Sequence, residues 1–81
     1  DLTQERRAEY VKVMKERVED ARIAIRQVRQ KFMQEIDEQQ KEGFSEDQAD
    51  MLREEGEKLV KESNARIEEI KDKKEEELMT I

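Results

Sequence analysis

Within residues 21–32, ARIAIRQVRQKF, four cations (Arg22, Arg26, Arg29 and Lys31) stand with no acid among them. The 81-residue chain as a whole is acidic, with a formal net charge of −6. A local basic run in such a chain asks for an anionic partner. On a wheel of roughly 100° per residue, Arg7 falls near 340°, Arg29 near 20°, Arg22 near 40°, Lys15 near 60° and Arg26 near 80°. The apolar stripe of the same segment centres near roughly 330°. The five cations thus band along one flank of the stripe, with Arg7 overlapping it. Glu9, Glu16 and Asp20 fall on the far side, while Arg6, Lys12 and Arg17 lie outside the band. Four of the five are Arg, whose guanidinium grips phosphate through two parallel hydrogen bonds, as Lys cannot.

The i, i+4, i+7 spacing of Arg22, Arg26 and Arg29 would follow a phosphate backbone along a rigid rod. No aromatics interleave with them, which argues against base stacking on single strands. It leaves recognition of folded RNA by shape and backbone. Charge also divides along the chain. Residues 1–31 hold nine Lys/Arg and six Asp/Glu, a net of +3. Residues 32–81 hold eight and seventeen, a net of −9. One segment can face phosphate while the other repels it. Arg beside a helical seam is, however, more often a solvated flank that pairs with Glu on a neighbouring helix. Spacing alone leaves both readings open.

Other chemistries have little to work with. There is no Cys, His or Trp, which removes disulfides, thiolate or imidazole ligands, and Cys or His nucleophiles. Carboxylate pairs such as Glu54-Glu55 and the run Glu75-Glu76-Glu77 would need a shaped cleft to hydrolyse anything, and an open helical pair offers none. SEDQAD lacks the ligand spacing and central glycine of a calcium loop. Met14, Met33, Met51 and Met79 read as core filler, and Tyr10 as a bundle-edge residue. We expect no enzyme activity and no cofactor. No apolar run approaches the roughly 18 residues that span a bilayer, and no signal-peptide pattern opens the chain. A cytoplasmic setting without membrane contact is the expectation.

The basic band must be carried by a long helix. Thr3, preceded by Leu2, fits an N-cap. Val11, Met14, Val18, Ala21, Ile25, Val28, Phe32 and Ile36 then follow in alternating steps of three and four, the seam of left-handed helix packing. Gly43 fits the left-handed residue after a helix. Ser45 and Gln48 form a capping box, with Phe44 and Ala49 placed as a hydrophobic staple. The spacing predicts a helix over about 4–41, a turn at about 42–45 and a helix over about 46–79. So short a connection implies an antiparallel pair. The second stripe is weaker: Leu52, Gly56, Leu59, Ser63, Ile67, Ile70, Lys74 and Leu78. Its small members would admit a close neighbour, and Lys74 would lay its stem on the seam. Ala8, Met33, Met51, Val60, Met79 and Ile81 would widen the apolar face.

With 49% charged and 33% hydrophobic residues, the chain cannot build a compact core of ordinary size. The composition suits long amphipathic helices, and the regular apolar spacing argues against disorder. The expected fold is all-α: a long antiparallel helical hairpin, two helices of a three-helix bundle or half of a four-helix dimer.

LTQERRAEYVKVMKERVEDARIAIRQVRQ resembles the opening of the C-terminal helical portion of the bacterial ribosome recycling factor family. The family pattern L-T-x-E-R-R stands here as Leu2-Thr3-Gln4-Glu5-Arg6-Arg7. Its A-[RK]-x-A-[IV]-R-x-[IV]-R-R run matches residues 21–30, ending Arg26-Gln27-Val28-Arg29-Gln30. FSEDQ resembles the family's I-S-E-D-[DE], and KKEEELMTI its closing K-E-x-E-[IL]-M. The likeness runs the length of the chain in order. It departs after Arg29, where Gln30, Lys31 and Phe32 replace a usual second Arg, an acid and Ala.

The resemblance implies a three-helix bundle with a smaller domain inserted between its first and second helices. This chain would begin at the second, so the first helix and inserted domain are expected to lie outside it. It implies a factor of translation termination that binds large-subunit ribosomal RNA. With elongation factor G and GTP, such a factor splits the subunits. By motif position the family's RNA-contacting arginines carry over to Arg7, Arg26 and Arg29; Arg22 and Lys15 join them by geometry. A structural coiled-coil arm for another protein is the alternative. Without a third helix, the chain is expected to self-associate through its open seam or to be largely unfolded.

Overall fold

The computed structural model describes residues 3–80, and Leu2 and Ile81, invoked above at the helix entry and on the apolar face, lie outside the described residues. Two helices account for the fold: α1, Gln4–Lys41, and α2, Glu46–Thr80. Thr3 begins α1 in extended backbone, and its hydroxyl accepts the Arg6 N–H at 3.2 Å. That satisfies one of the donors a helix start leaves bare.

The chain reverses within four residues. Gly43 adopts φ +117°, a conformation that costs L-residues dearly and Gly little. Its N–H donates to the Gln40 carbonyl at 3.2 Å, and the Phe44 N–H donates to the Gln39 carbonyl at 3.0 Å. This paired closure stops α1. Ser45 Oγ then accepts the Gln48 N–H at 3.1 Å, while Gln48 Oε1 sits 3.5 Å from the Ser45 N–H. The first half of the capping box is firm and the return half is long. Ala49 is fully buried, whereas Phe44 stays partly exposed.

The result is an all-α hairpin measuring 61 × 16 × 9 Å. Among the described residues, Ile36 and Ala49 are the buried apolar side chains, and no large side chain is completely enclosed. Gly56 is buried as well. It lets the Phe32 ring lie against the α2 backbone: a Cβ on Gly56 would meet Phe32 Cε1 at 2.4 Å. Close approach thus explains a glycine in mid-helix, which otherwise costs about 1 kcal/mol relative to Ala.

The second stripe requires a correction. The side of α2 turned to α1 runs through Ala49, Arg53, Gly56, Val60, Asn64, Ile67, Lys71 and Leu78, all buried or half-buried. Leu52, Leu59 and Ile70, read above as seam, are exposed, Leu59 by 59% and Ile70 by 52%. On α1, Val28 is 68% exposed although it belongs to the three-four run. The physical reason is simple. Two helices touch along one line, and an apolar stripe wider than that line keeps its outer edge in water. These edges join into an open apolar groove. One stretch, of about 330 Å³, is lined by Ala24, Val28, Phe32, Gly56, Leu59 and Ser63. A second is lined by Tyr10, Val13, Val18, Ala21, Ile67 and Ile70, with Arg17 and Lys74 at its margin.

Candidate functional site

The five candidate cations band along one flank of α1, where Arg29 also borders the groove, and the structure brings Lys15, Arg22 and Arg29 against α2. Arg22 forms an ion pair with Glu68. Arg29 Nε donates to Glu57 Oε1 at 2.6 Å. Lys15 Nζ lies 3.6 Å from Glu75 Oε1. These three cations recur every seventh residue, which returns each to one flank of a helix contact. Arg26 differs: it pairs along its own helix, Nη2 to Glu19 Oε1 at 3.0 Å, and its side chain is 67% exposed. Arg7 is half-buried near the start of α1.

The flank therefore carries both features that the sequence left open. It is a row of inter-helix ion pairs, and it is a solvent-facing band of cations. The pairs do not silence the band. Exposed ion pairs such as Lys15–Glu75, Arg26–Glu19 and Arg29–Glu57 contribute roughly 0.2–1 kcal/mol each. A phosphate offers the same guanidinium comparable charge-assisted hydrogen bonds. Among the four cations in these ion pairs, exposure ranks them for an outside anion: Arg26 is most open and Arg22, at 34%, least.

Two clusters went unsingled in the sequence. Arg53 bonds to Asp37 at 2.8 Å, Asp50 at 3.0 Å and Gln40 at 2.7 Å. The hydrogen bond to Asp37, seconded by Asp50, holds its proton more tightly than usual. Arg53 thereby clasps α1 to α2 near the turn. Glu68, besides meeting Arg22, accepts from Lys71 Nζ at 2.7 Å. The Lys71 hydrogen bond, then the charges of Lys71 and Arg22, hold the Glu68 carboxyl below its usual range, and Lys71 is raised in turn. The heptad step from Lys15 through Arg22 to Arg29 was a legible signal for the α2 acids. Which acids they are depends on the register of the hairpin.

Among the described residues, no group of three or more acids could hold a metal ion. Among the same described residues, no helix is long and apolar enough to cross a membrane.

Comparison with known proteins gives these elements a context. Curated relatives include the ribosome-recycling factor of Bifidobacterium adolescentis, 35% identical across 100% of this chain and 45% of its own length. That of Desulforamulus reducens is 40% identical over 99% of the chain and 44% of the relative. That of Corynebacterium efficiens is 41% identical, again over 99% and 44%. The chain thus spans less than half the length of the curated relatives it matches. No solved structure gives a significant match. The family pattern described as ribosome recycling factor matches residues 1–79, and with that extent of agreement the chain belongs to the ribosome recycling factor family.

Proposed function

We propose that this chain is the part of a recycling factor that lies against large-subunit ribosomal RNA through Arg7, Arg26 and Arg29, with Arg22 and Lys15 in support. The whole factor, working with elongation factor G in the cytoplasm, would split the subunits after termination. The chain would do no bond chemistry; a rigid 61 Å rod presents cations in a fixed row. The observation that carries this reading is the cationic flank of α1, with Arg26 widely open, on a chain of this family. In the same reading the two helices belong to a three-helix bundle. A first helix, which the family places before an inserted domain, would cover the groove that Val28, Leu59 and Ile70 leave open.

A second reading, a coiled-coil arm that binds another protein, draws on that same groove and on the inter-helix ion pairs. The two separate on salt. Each phosphate contact adds roughly 0.7–0.9 to the slope of log affinity against log salt, whereas burial of an apolar groove adds little. Binding of the chain to large ribosomal subunits should weaken steeply with salt. The Arg26→Ala/Arg29→Ala variant, equally helical by circular dichroism, should bind weakly and flatten the slope by about 2. Salt-independent binding that survives the double substitution would favour the protein arm.

A further inference from the structure

The acids of α2 stand where an RNA backbone would have to compete with them. Glu57 holds Arg29 at 2.6 Å, Glu68 holds Arg22, and Glu75 approaches Lys15 at 3.6 Å. The three cations lie seven residues apart, so the pairs recur about every 10 Å along α1. Each acid has two effects. It fixes a long, mobile cation in one orientation, and it occupies donors that a phosphate would otherwise take. Arg26 stands outside the arrangement, since its partner Glu19 is on α1 and its side chain is largely open. The flank thus divides into an open cation and a row of cations already engaged.

We propose that Glu57 and Glu68 set the phosphate affinity of the α1 flank, acting as internal competitors that an RNA backbone must displace from Arg29 and Arg22. Isolated anions, which arrive singly, lose this competition. A polyanion anchored first at Arg26 holds further phosphates beside Arg22 and Arg29 at high local concentration and wins it. The flank then discriminates a continuous phosphate backbone from scattered anions. Glu57 and Glu68 are positioning residues here, touching the cations rather than the ligand. This inference rests on the RNA-facing reading of the flank and extends it to the opposite helix.

The test compares three chains on large ribosomal subunits across a salt series: the unsubstituted chain, Glu57→Gln/Glu68→Gln, and Glu9→Gln/Glu16→Gln. The last makes the same charge change on the far side of α1. Glutamine keeps the size of the side chain, and both acids are about half exposed, so helicity should be retained. Released from exposed pairs worth up to about fivefold each, the flank of Glu57→Gln/Glu68→Gln is expected to bind on the order of tenfold more tightly. The far-side control should change affinity by less than about threefold, the part due to overall charge. Equal effects of the two variants would overturn the proposal while leaving the RNA-facing reading intact. Failure of the unsubstituted, helical chain to bind at low salt would instead overturn that reading, and this inference with it. Inorganic phosphate serves as the last arm: millimolar additions should not displace the unsubstituted chain from the subunits, and its ready displacement would contradict discrimination by continuity.

Discussion

Gly56→Ala isolates the contact that lets the two helices close. Two terms of opposite sign meet at this position. Replacing a mid-helix Gly by Ala favours the helix by about 1 kcal/mol. Against this, the new Cβ would stand 2.4 Å from Phe32 Cε1 and 2.9 Å from Cδ1, separations that no packed pair sustains. The ring has to move. Phe32 is only half-buried and borders the open groove, so it can swing outward at the loss of its contact with the α2 backbone. Overpacking of this kind costs about 1–3 kcal/mol. The net expectation is a destabilisation of roughly 0–2 kcal/mol. The sign should reverse in a Phe32→Ala background, where Gly56→Ala should stabilise by about 1 kcal/mol. Urea unfolding followed by far-ultraviolet circular dichroism at fixed protein concentration measures all four chains of the cycle. A coupling of at least about 1 kcal/mol is expected. Additive substitutions, with Gly56→Ala stabilising equally in both backgrounds, would show that Phe32 does not pack on Gly56.

Three further outcomes follow from the structure. Ser45→Ala should cost about 1 kcal/mol by removing the acceptor of the Gln48 N–H, whereas Gln48→Ala, deleting the longer 3.5 Å return bond, should cost less; thermal melts of the two variants check the order. The advantage of the unsubstituted chain over Glu68→Gln should depend on pH: since the folded carboxyl titrates below its unfolded value, that advantage is full above the usual glutamate range and disappears as pH falls through the lowered value, which paired melts across acid pH would detect. Finally, an uncovered groove of this length should drive the chain to pair with a second copy, so helicity should rise with concentration and sedimentation should report a dimer; a fully helical monomer at all concentrations would contradict this expectation.

How much of this was legible beforehand differs from residue to residue. The turn was readable because its signals are local. Gly43 supplies a positive φ, Ser45 an acceptor three residues before Gln48, and Thr3 the same service at the other start. The α1 side of the contact was readable from Val11 to Ile36 except at Val28, which faces water, since spacing on one helix needs no partner to define it. The α2 side was misread because its apolar residues serve two directions. Ala49, Gly56 and Ile67 pack toward α1, while Leu59 and Ile70 line the open groove and Leu52 is exposed. A periodicity averages the two directions into a single stripe.

The sequence alone determined the helices, their ends, their antiparallel return and the flank on which the cations gather, because each follows from interactions within a few residues of chain. Only the tertiary structure decided which acid meets which cation: Glu57 with Arg29, Glu68 with Arg22, Glu75 with Lys15, and Asp37 with Arg53. Those pairings depend on the register and rotation of α1 on α2. These are set by Phe32 seating on Gly56 and by burial of Ile36 and Ala49, contacts between residues far apart in the chain that a local pattern does not encode.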